Sequence, residues 1–179
     1  YEVLYTKWLS YEDVILLKSV EEMVEVYYNS GQFTDTLEAL AEEFPSAFAM
    51  YEDLWHFYEM HGLLGVQHKR SSRYEILLSW IRKVLREKVD VYRERLTYDY
   101  YLRENAKTRP SFAGEYQVEK EVLRAFYESE EKEHRYLPAY TSYDRNQMRK
   151  MTHIEYFAEE DRYILFDYLE RSPLEDRKS

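Results

Sequence analysis

The chain has 179 residues, a length that suits one domain, or one domain with an appendage. It contains no cysteine, which excludes a disulfide framework, a thiolate zinc site, a cysteine nucleophile and any iron–sulfur cluster held by its own cysteines. The formal net charge of −10 makes nucleic acid a poor partner, because phosphate groups bind basic surfaces. No apolar run approaches the ~20 residues of a membrane span, so we expect a cytoplasmic protein without membrane contact.

The first helix begins at a local capping pattern. Ser10 followed by Asp13 resembles a capping box, and the apolar spacing then predicts a helix over residues 11–29. Asn29 and Gly31 are residue types that commonly end helices. The residues expected to face inward are Leu17, Val20, Val24 and Tyr27, with Leu16 and Met23 beside them.

Two shorter helices are predicted next. The second helix covers residues 35–44 and is stopped by Pro45. The third begins after Ser46, a favourable capping residue, and ends before Gly62. Its apolar residues at helical spacing predict a buried stripe. That stripe consists of Phe48, Tyr51, Trp55 and Tyr58.

Three further helices are predicted up to residue 130. The fourth starts near Ser72, after a loop over residues 62–70. Asp90 is a good cap for a fifth helix ending near Asn105, although one long, kinked helix would also fit the pattern. The sixth helix covers residues 115–130 and follows a loop over residues 107–114. The residues expected to face inward are Leu77, Leu78, Ile81 and Leu85 in the fourth helix, and Val118, Val122, Leu123 and Phe126 in the sixth.

The C-terminal part predicts a β-hairpin. Residues 153–157 alternate between polar and apolar, residues 163–169 are rich in β-forming side chains, and the polar residues between them have hairpin length. An isolated hairpin is marginally stable, so we expect it to pack on the helices. Residues 172–179 are predicted to be a frayed tail.

These elements together predict a mainly α fold, a multi-helix bundle of about six helices with a C-terminal β-hairpin. Residues 1–130 form the helical bundle in this prediction. Residues 131–179, an irregular segment plus the hairpin, pack on the bundle within a single domain, and this domain is a fragment of a larger protein.

Glu131 and His134 come nearest to a metal motif. Glu-x-x-His is the spacing of carboxylate-bridged di-iron sites, but such a site needs two of these motifs and two further glutamates. Glu52, His56 and Glu59 share one helix face, which could hold a metal or an acid–base pair. Because that face lies opposite the predicted apolar stripe, solvent exposure is the simpler interpretation.

Other chemistry-bearing residues have structural interpretations too. Residues 98–101, Tyr-Asp-Tyr-Tyr, could pair a hydroxyl with a carboxylate, yet a buried Asp99 that ties backbone groups is the interpretation we favour. His61 and His68 flank a glycine turn and are expected to serve only that loop. The basic cluster is interpreted as a solvated segment rather than a phosphate contact: Arg145, Arg149 and Lys150.

The sequence therefore assigns no catalytic residue and no metal ligand, and it leaves cofactor-binding residues unknown. It contains neither a phosphate-binding glycine loop nor a serine nucleophile elbow. Its 20 tyrosines fit two interpretations, a surface that binds a protein partner or tyrosines buried at helix margins.

Six stretches carry a resemblance to one protein family. They are YEVL (1–4), KWLSYEDV (7–14), LKSVEEMVEVYYNSGQF (17–33), YEIL (74–77), LTYDY (96–100) and LFDY (165–168). Together they resemble the C-terminal domain of uncharacterised function, the DUF4080 type, found in bacterial cobalamin-binding radical SAM proteins. The resemblance covers almost the whole chain, although no single stretch is chemically diagnostic.

The resemblance implies a parent protein in which a cobalamin-binding domain and a radical SAM barrel precede this domain. The parent's cofactors would be cobalamin, S-adenosylmethionine and a [4Fe–4S] cluster held by three cysteines of the barrel, with none of them in this fragment. The missing cysteines and the start at Tyr1 fit that arrangement. None of the family's catalytic residues can be carried over, because no matching position holds one.

We therefore expect an accessory domain that is not catalytic by itself. It would pack on the radical SAM barrel, help enclose its substrate or recruit a protein partner. A stand-alone helical protein-interaction module is the alternative, and a small metalloenzyme built on Glu131 and His134 is a third candidate.

Overall fold

A computed structural model describes residues 9–169, apart from Asn105, Lys107 and Tyr116. This part of the chain is mainly α, with seven α-helices and a two-stranded antiparallel hairpin, so the predicted fold class is confirmed. The predicted tail and the first resemblance stretch lie outside the described residues, as do Lys7 and Trp8 of the second stretch and the predicted helix end at Asn105.

The described residues fall into two compact units. Unit 1 contains the residues up to Arg103 together with Arg109–Ala113, and unit 2 contains the remainder. The single-domain arrangement, with residues 131–179 packed on residues 1–130, stays a prediction. Among the described residues, no helix combines the length and the hydropathy needed to cross a membrane.

Helix α1 spans Tyr11–Met23 and continues directly into a π turn over Val24–Tyr28. The predicted capping box is confirmed: the Asp13 N–H donates to the Ser10 hydroxyl at 3.1 Å, and the Ser10 N–H donates to the Asp13 carboxylate at 2.9 Å. Leu17 is 45 % exposed, so its predicted inward position is wrong. The buried residues of α1 are Ser19, Val20 and Met23.

Helices α2 (Thr34–Glu42) and α3 (Ala47–Met60) follow, and Ser46 caps α3 as predicted by accepting from the Ala49 N–H at 3.1 Å. The predicted stripe of α3 is wrong in part. Phe48 is 40 % exposed and Trp55 is only half-buried. The residues that α3 does bury are Met50, Tyr51, Leu54, Phe57 and Tyr58.

Helix α4 (Arg70–Val84) and helix α5 (Val89–Arg103) are separate, as favoured, with a 3₁₀ turn over Arg86–Lys88 between them. The prediction that Asp90 caps α5 is wrong. Asp90 lies inside the first turn of α5, where its carboxylate forms an ion pair with Arg93. The buried residues of α4 are Tyr74, Leu77, Leu78, Trp80 and Ile81, whereas Leu85 is half-buried.

Unit 1 has an aromatic core. The Trp80 side chain is fully buried, its ring stacks on Phe44 with centroids 5.6 Å apart, and its Nε1–H donates to the Asp53 carboxylate at 2.7 Å. Phe112 belongs to the same core although it lies after α5 in the chain: its ring stacks on Tyr74 with centroids 5.2 Å apart and an interplanar angle of 5°. The chain therefore leaves unit 1 after α5 and returns to insert one aromatic ring.

Unit 2 contains α6 (Lys120–Glu133), α7 (Arg145–Met151), β1 (Thr152–Phe157) and β2 (Arg162–Asp167). The hairpin is confirmed, with a register running from Thr152 opposite Asp167 to Phe157 opposite Arg162. The buried core residues of unit 2 are Tyr127, Leu137, Tyr140, Met148 and Ile154. Because Ile154 of β1 belongs to this core, one face of the hairpin packs with α6 and α7.

Two predictions for unit 2 are wrong. Helix α6 begins at Lys120 rather than at residue 115, and Val122 is 39 % exposed instead of inward-facing. In addition, helix α7 lies in the segment that the sequence predicts to be irregular, although its basic residues Arg145, Arg149 and Lys150 are exposed, as a solvated segment would be. It starts at a capping box in which the Asp144 side chain accepts from the Gln147 N–H at 2.8 Å.

Candidate binding groove

A groove of about 850 Å³ lies in unit 1, between the π turn, α2 and the first half of α3. Its volume is within the range of ordinary ligand pockets. Tyr28, Asn29 and Glu38 contribute exposed polar groups to its lining. The apolar part of the lining consists of Val24, Leu37, Ala41, Ala47 and Met50. The groove can therefore take apolar groups and offers polar contacts around them.

The π turn borders this groove. Its two end residues, Val24 and Tyr28, both line the groove, and the wider turn closes with a hydrogen bond from the Asn29 N–H to the Val24 carbonyl at 3.0 Å. π turns inside helices are rare and occur often at functional sites. The irregular backbone of the π turn and the groove thus coincide.

Two tyrosines give the groove its polar chemistry. Tyr28 is 67 % exposed, whereas Tyr51 is nearly buried. Burial, and secondarily the neighbouring Tyr28, raises the pKa of Tyr51 to about 12. The Tyr51 phenol therefore stays protonated at neutral pH, so it can exchange hydrogen bonds with a bound group but cannot act as a base.

Of the three residues on the predicted face of α3, His56 and Glu59 are exposed, as the simpler interpretation predicts, whereas Glu52 is half-buried. The His56 and Glu59 side chains are 54 % and 58 % exposed, and His56 Nδ1 lies 3.6 Å from a Glu59 carboxylate oxygen. Such a pair on a wet helix face contributes little to stability and forms no enclosed site.

The two loop histidines bind backbone carbonyls. His61 Nδ1 lies 2.8 Å from the Phe57 carbonyl oxygen, and His68 Nε2 lies 2.8 Å from that of Leu63. Both contacts hold the end of α3 and the following loop, which agrees with the structural role predicted for them. His61 also lines a smaller cavity of about 270 Å³, but among the described residues no hydroxyl group hydrogen-bonds to its ring.

Asp99 is a fully buried carboxylate that caps α2 from the neighbouring helix α5. Its Oδ1 accepts from the Asp35 N–H at 3.0 Å, and its Oδ2 accepts from the Thr36 N–H at 2.9 Å. Burial raises the pKa of Asp99, while these hydrogen bonds oppose the rise. The carboxylate ties backbone groups, as the favoured interpretation of residues 98–101 predicts.

Glu131 and His134 are not part of a metal site in the described structure. A Glu131 carboxylate oxygen accepts from the Arg145 N–H at 3.2 Å, so it serves the start of α7. His134 lies beyond the last turn of α6 in a left-handed conformation, with φ of 47°. Within the described part of the chain, no three His, Cys, Asp or Glu side chains come together as a metal site would require.

A family model described as "Protein of unknown function (DUF4080)" matches residues 1–173. The chain belongs to the DUF4080 family. No curated protein and no solved structure matches it.

We expect the purified DUF4080 chain to bind no stoichiometric metal. After chelation, incubation with Zn²⁺ or Fe²⁺ and desalting, elemental analysis should find well below one metal ion per chain. The reason is that Glu131 is engaged by a backbone N–H and that the described residues form no cluster of three ligating side chains. One retained equivalent that disappears in both Glu131→Gln and His134→Ala would contradict this.

The sequence reasoning missed the groove and one buried glutamate of the DUF4080 chain. Glu130 is 2 % exposed, and its carboxylate accepts from the Tyr136 N–H at 2.9 Å and the Leu137 N–H at 2.8 Å. The helical spacing could have indicated that Glu130 is buried, because Glu130 lies one helical turn after the buried Tyr127 on the same face of α6. Tyr27 was correctly predicted to face inward, but the sequence has no signal for the π turn that brings the exposed Tyr28 into the groove.

Proposed function

We propose that this chain is the accessory C-terminal domain of a cobalamin-dependent radical SAM protein and is not catalytic by itself. The observation that carries the proposal is the DUF4080 match over residues 1–173, together with the six stretches that resemble the domain in such proteins. In this proposal its partners are the cobalamin-binding and radical SAM domains that precede it in the same chain, in the cytoplasm.

The side chains present do not fit the cofactors of such a parent protein. A [4Fe–4S] cluster is held by cysteine thiolates, and this sequence has none. In the proposal, the cluster, S-adenosylmethionine and cobalamin are therefore bound by the preceding domains. In the proposal, this chain supplies a surface that packs against the radical SAM barrel or closes over the substrate of the barrel.

Closure has a physical purpose in radical chemistry. Reactive intermediates have to be shielded from water and from side reactions, and an enclosing domain supplies that shielding. The groove supports such a role, because its apolar walls and the protonated Tyr51 phenol can contact an organic substrate or a neighbouring domain without adding a base.

The proposal makes a prediction about the parent protein. Reconstituted anaerobically without residues 1–179, the parent should keep its cluster, but S-adenosylmethionine cleavage should no longer be coupled to product formation. Product per cleavage event should fall on the order of tenfold, since a site open to water loses its intermediates to side reactions. Cluster content by iron analysis and product by mass spectrometry measure the two effects.

Two outcomes would sink the proposal. One is equal cluster content, cleavage and product formation with and without this segment. The other comes from the coding sequence upstream of the codon for Tyr1, if it lacks the C-x-x-x-C-x-x-C spacing of a radical SAM cluster.

The groove favours one alternative, a stand-alone helical module that binds a protein partner. Helical grooves with apolar walls bind amphipathic segments in many unrelated proteins. The coding-sequence test separates the two proposals, because a stand-alone module needs no cluster motif upstream.

A further inference from the structure

The groove lies in an unusually acidic part of the chain. In residues 11–60, which supply all three elements around it, there are twelve Asp and Glu but Lys18 is the only Lys or Arg. The whole chain carries 35 acidic and 25 basic residues, so this segment is much more acidic than the chain as a whole. One cation reaches the groove from outside the segment, because the Arg103 guanidinium donates to the hydroxyl of the lining residue Thr34 at 2.9 Å.

Some of these carboxylates are neutralised within the protein. Asp35 pairs with Arg95 at 2.8 Å, and Glu43 pairs with Lys88 at 2.6 Å. Glu38 lines the groove and is exposed, and among the described residues no cation lies within ion-pair distance of it. Glu25 is also exposed, one turn before Asn29, whose amide donates to it at 2.6 Å. Two carboxylates near the groove thus lack a cationic partner in the described structure.

We infer that this groove binds a basic amphipathic segment of a partner protein, in helical form. Apolar side chains at helical spacing would enter between Tyr28 and the apolar walls, and flanking Lys or Arg side chains would reach Glu38 and Glu25. Complementary charge both attracts such a segment and rejects acidic ones. A second copy of this chain is a poor occupant, because its net charge of −10 repels another copy.

This inference does not rest on the proposed function. The occupant in this inference is a segment of a separate protein, whereas the accessory role concerns preceding domains of the same chain. Binding measured on the 179-residue chain alone therefore tests the groove, whereas the experiment on the parent protein tests the accessory role.

The test uses a defined probe, a fluorescein-labelled 18-residue peptide of Leu and Lys arranged as an amphipathic helix. Fluorescence anisotropy should show saturable binding by the 179-residue chain. A scrambled Leu/Lys peptide, which has the same charge but no apolar face, should bind at least tenfold more weakly. A Leu/Glu peptide of the same pattern should not bind.

Two variants place the site. Tyr28→Ala should weaken binding roughly tenfold or more, the scale expected for removing an aromatic anchor. Glu38→Gln should weaken it about threefold and reduce its salt dependence, the scale of one exposed charge pair. Matched controls away from the groove should leave binding unchanged: Tyr11→Ala, at a tyrosine 56 % exposed on the same helix, and Glu87→Gln, at an exposed glutamate of the 3₁₀ turn.

Three results would overturn the inference. The scrambled peptide could bind as tightly as the amphipathic one, which would mean charge attraction only. The control variants could lose as much affinity as the groove variants. Sedimentation could show a dimer of the chain that Tyr28→Ala converts to a monomer, which would make a second copy the occupant. The Tyr28 side chain is 67 % exposed, so Tyr28→Ala should have the same thermal unfolding midpoint as the unsubstituted chain. An unchanged midpoint would exclude misfolding as the cause of weaker binding.

Discussion

Trp80→Ala is expected to lower the free energy of unfolding by about 4 kcal/mol, as truncating a buried tryptophan leaves a cavity that surrounding residues fill only in part. Trp80 is fully buried on α4, and its ring stacks on Phe44 at 5.6 Å. The Asp53 carboxylate that loses the Trp80 donor is exposed, so water can replace that hydrogen bond and the cavity dominates the loss. Urea unfolding followed by circular dichroism measures the change.

Trp55→Ala is the matched control, because Trp55 is only half-buried at the edge of the same core. It should cost about 1.5 kcal/mol, in proportion to the smaller apolar area it buries. If Trp80→Ala does not fold, Trp80→Phe keeps most of the ring and should cost about 1–2 kcal/mol. Equal losses for Trp80→Ala and Trp55→Ala would contradict the assignment of Trp80, rather than Trp55, to the core.

Asp99→Ala is expected to cost about 3 kcal/mol, because it leaves two N–H groups at the start of α2 without their acceptor. Those donors belong to Asp35 and Thr36, at 3.0 and 2.9 Å from the carboxylate oxygens. The control is Asp35→Ala, which removes only a partly exposed ion pair with Arg95 and should cost less than about 1 kcal/mol. Denaturant unfolding at constant pH compares them, and a loss for Asp99→Ala no larger than the control would contradict the capping role.

Asp99 also predicts a pH dependence with a definite sign. Burial raises the pKa of this carboxyl in the folded state above its unfolded value. The folded state then binds the proton more tightly, so the stability from this group is fully present below the unfolded pKa and is lost as pH rises through the folded pKa. Asp99→Asn cannot ionise, and comparison with it cancels the other carboxyl groups.

The measurement is the difference in unfolding free energy between the unsubstituted 179-residue chain and Asp99→Asn, determined from acid to neutral pH. That difference, unsubstituted chain minus variant, should decrease as pH rises from the unfolded pKa of Asp99 through its folded pKa. An increase would mean that the two backbone N–H groups outweigh burial and that the folded pKa lies below the unfolded one.

Local signals were predictable from the sequence. The capping box at Ser10 and the cap at Ser46 depend on residues three positions apart, so their geometry follows from the sequence itself. The hairpin was predictable for the same reason, since polar/apolar alternation over residues 153–157 indicates a strand, although it did not predict the burial of Glu155. These features require no knowledge of what the element packs against.

Tertiary choices were not predictable in the same way. Helix α3 is apolar around most of its circumference, so Phe48 and Met50 were equally good candidates for burial, and only packing in unit 1 buries Met50. Helix α7 has seven mostly polar residues and a capping box built on Asp144, which made it look like a solvated segment. Met148 and Met151, three positions apart, were the remaining signal.

The candidate site shows the same division. That Asp99 would be buried and tied to backbone groups was a prediction from residue type, but its bond partners on α2 lie more than sixty positions away. The groove depends on three elements meeting and on a π turn, neither of which has a periodicity signal in the sequence. The net charge of the chain follows from its composition, whereas the position of the exposed Glu38 in an apolar groove required the fold.

Because the chain returns to unit 1 at Arg109–Ala113, unit 1 is not complete at the end of α5. Residues up to Arg103 form five helices, yet the rings of Tyr74 and Tyr100 both pack against Phe112, which enters unit 1 only after the chain has left it. A fragment ending at Arg103 would leave both aromatic surfaces open to water and to other copies of itself. Gene fusion, domain exchange or proteolytic separation would therefore preserve unit 1 only with a boundary after Ala113.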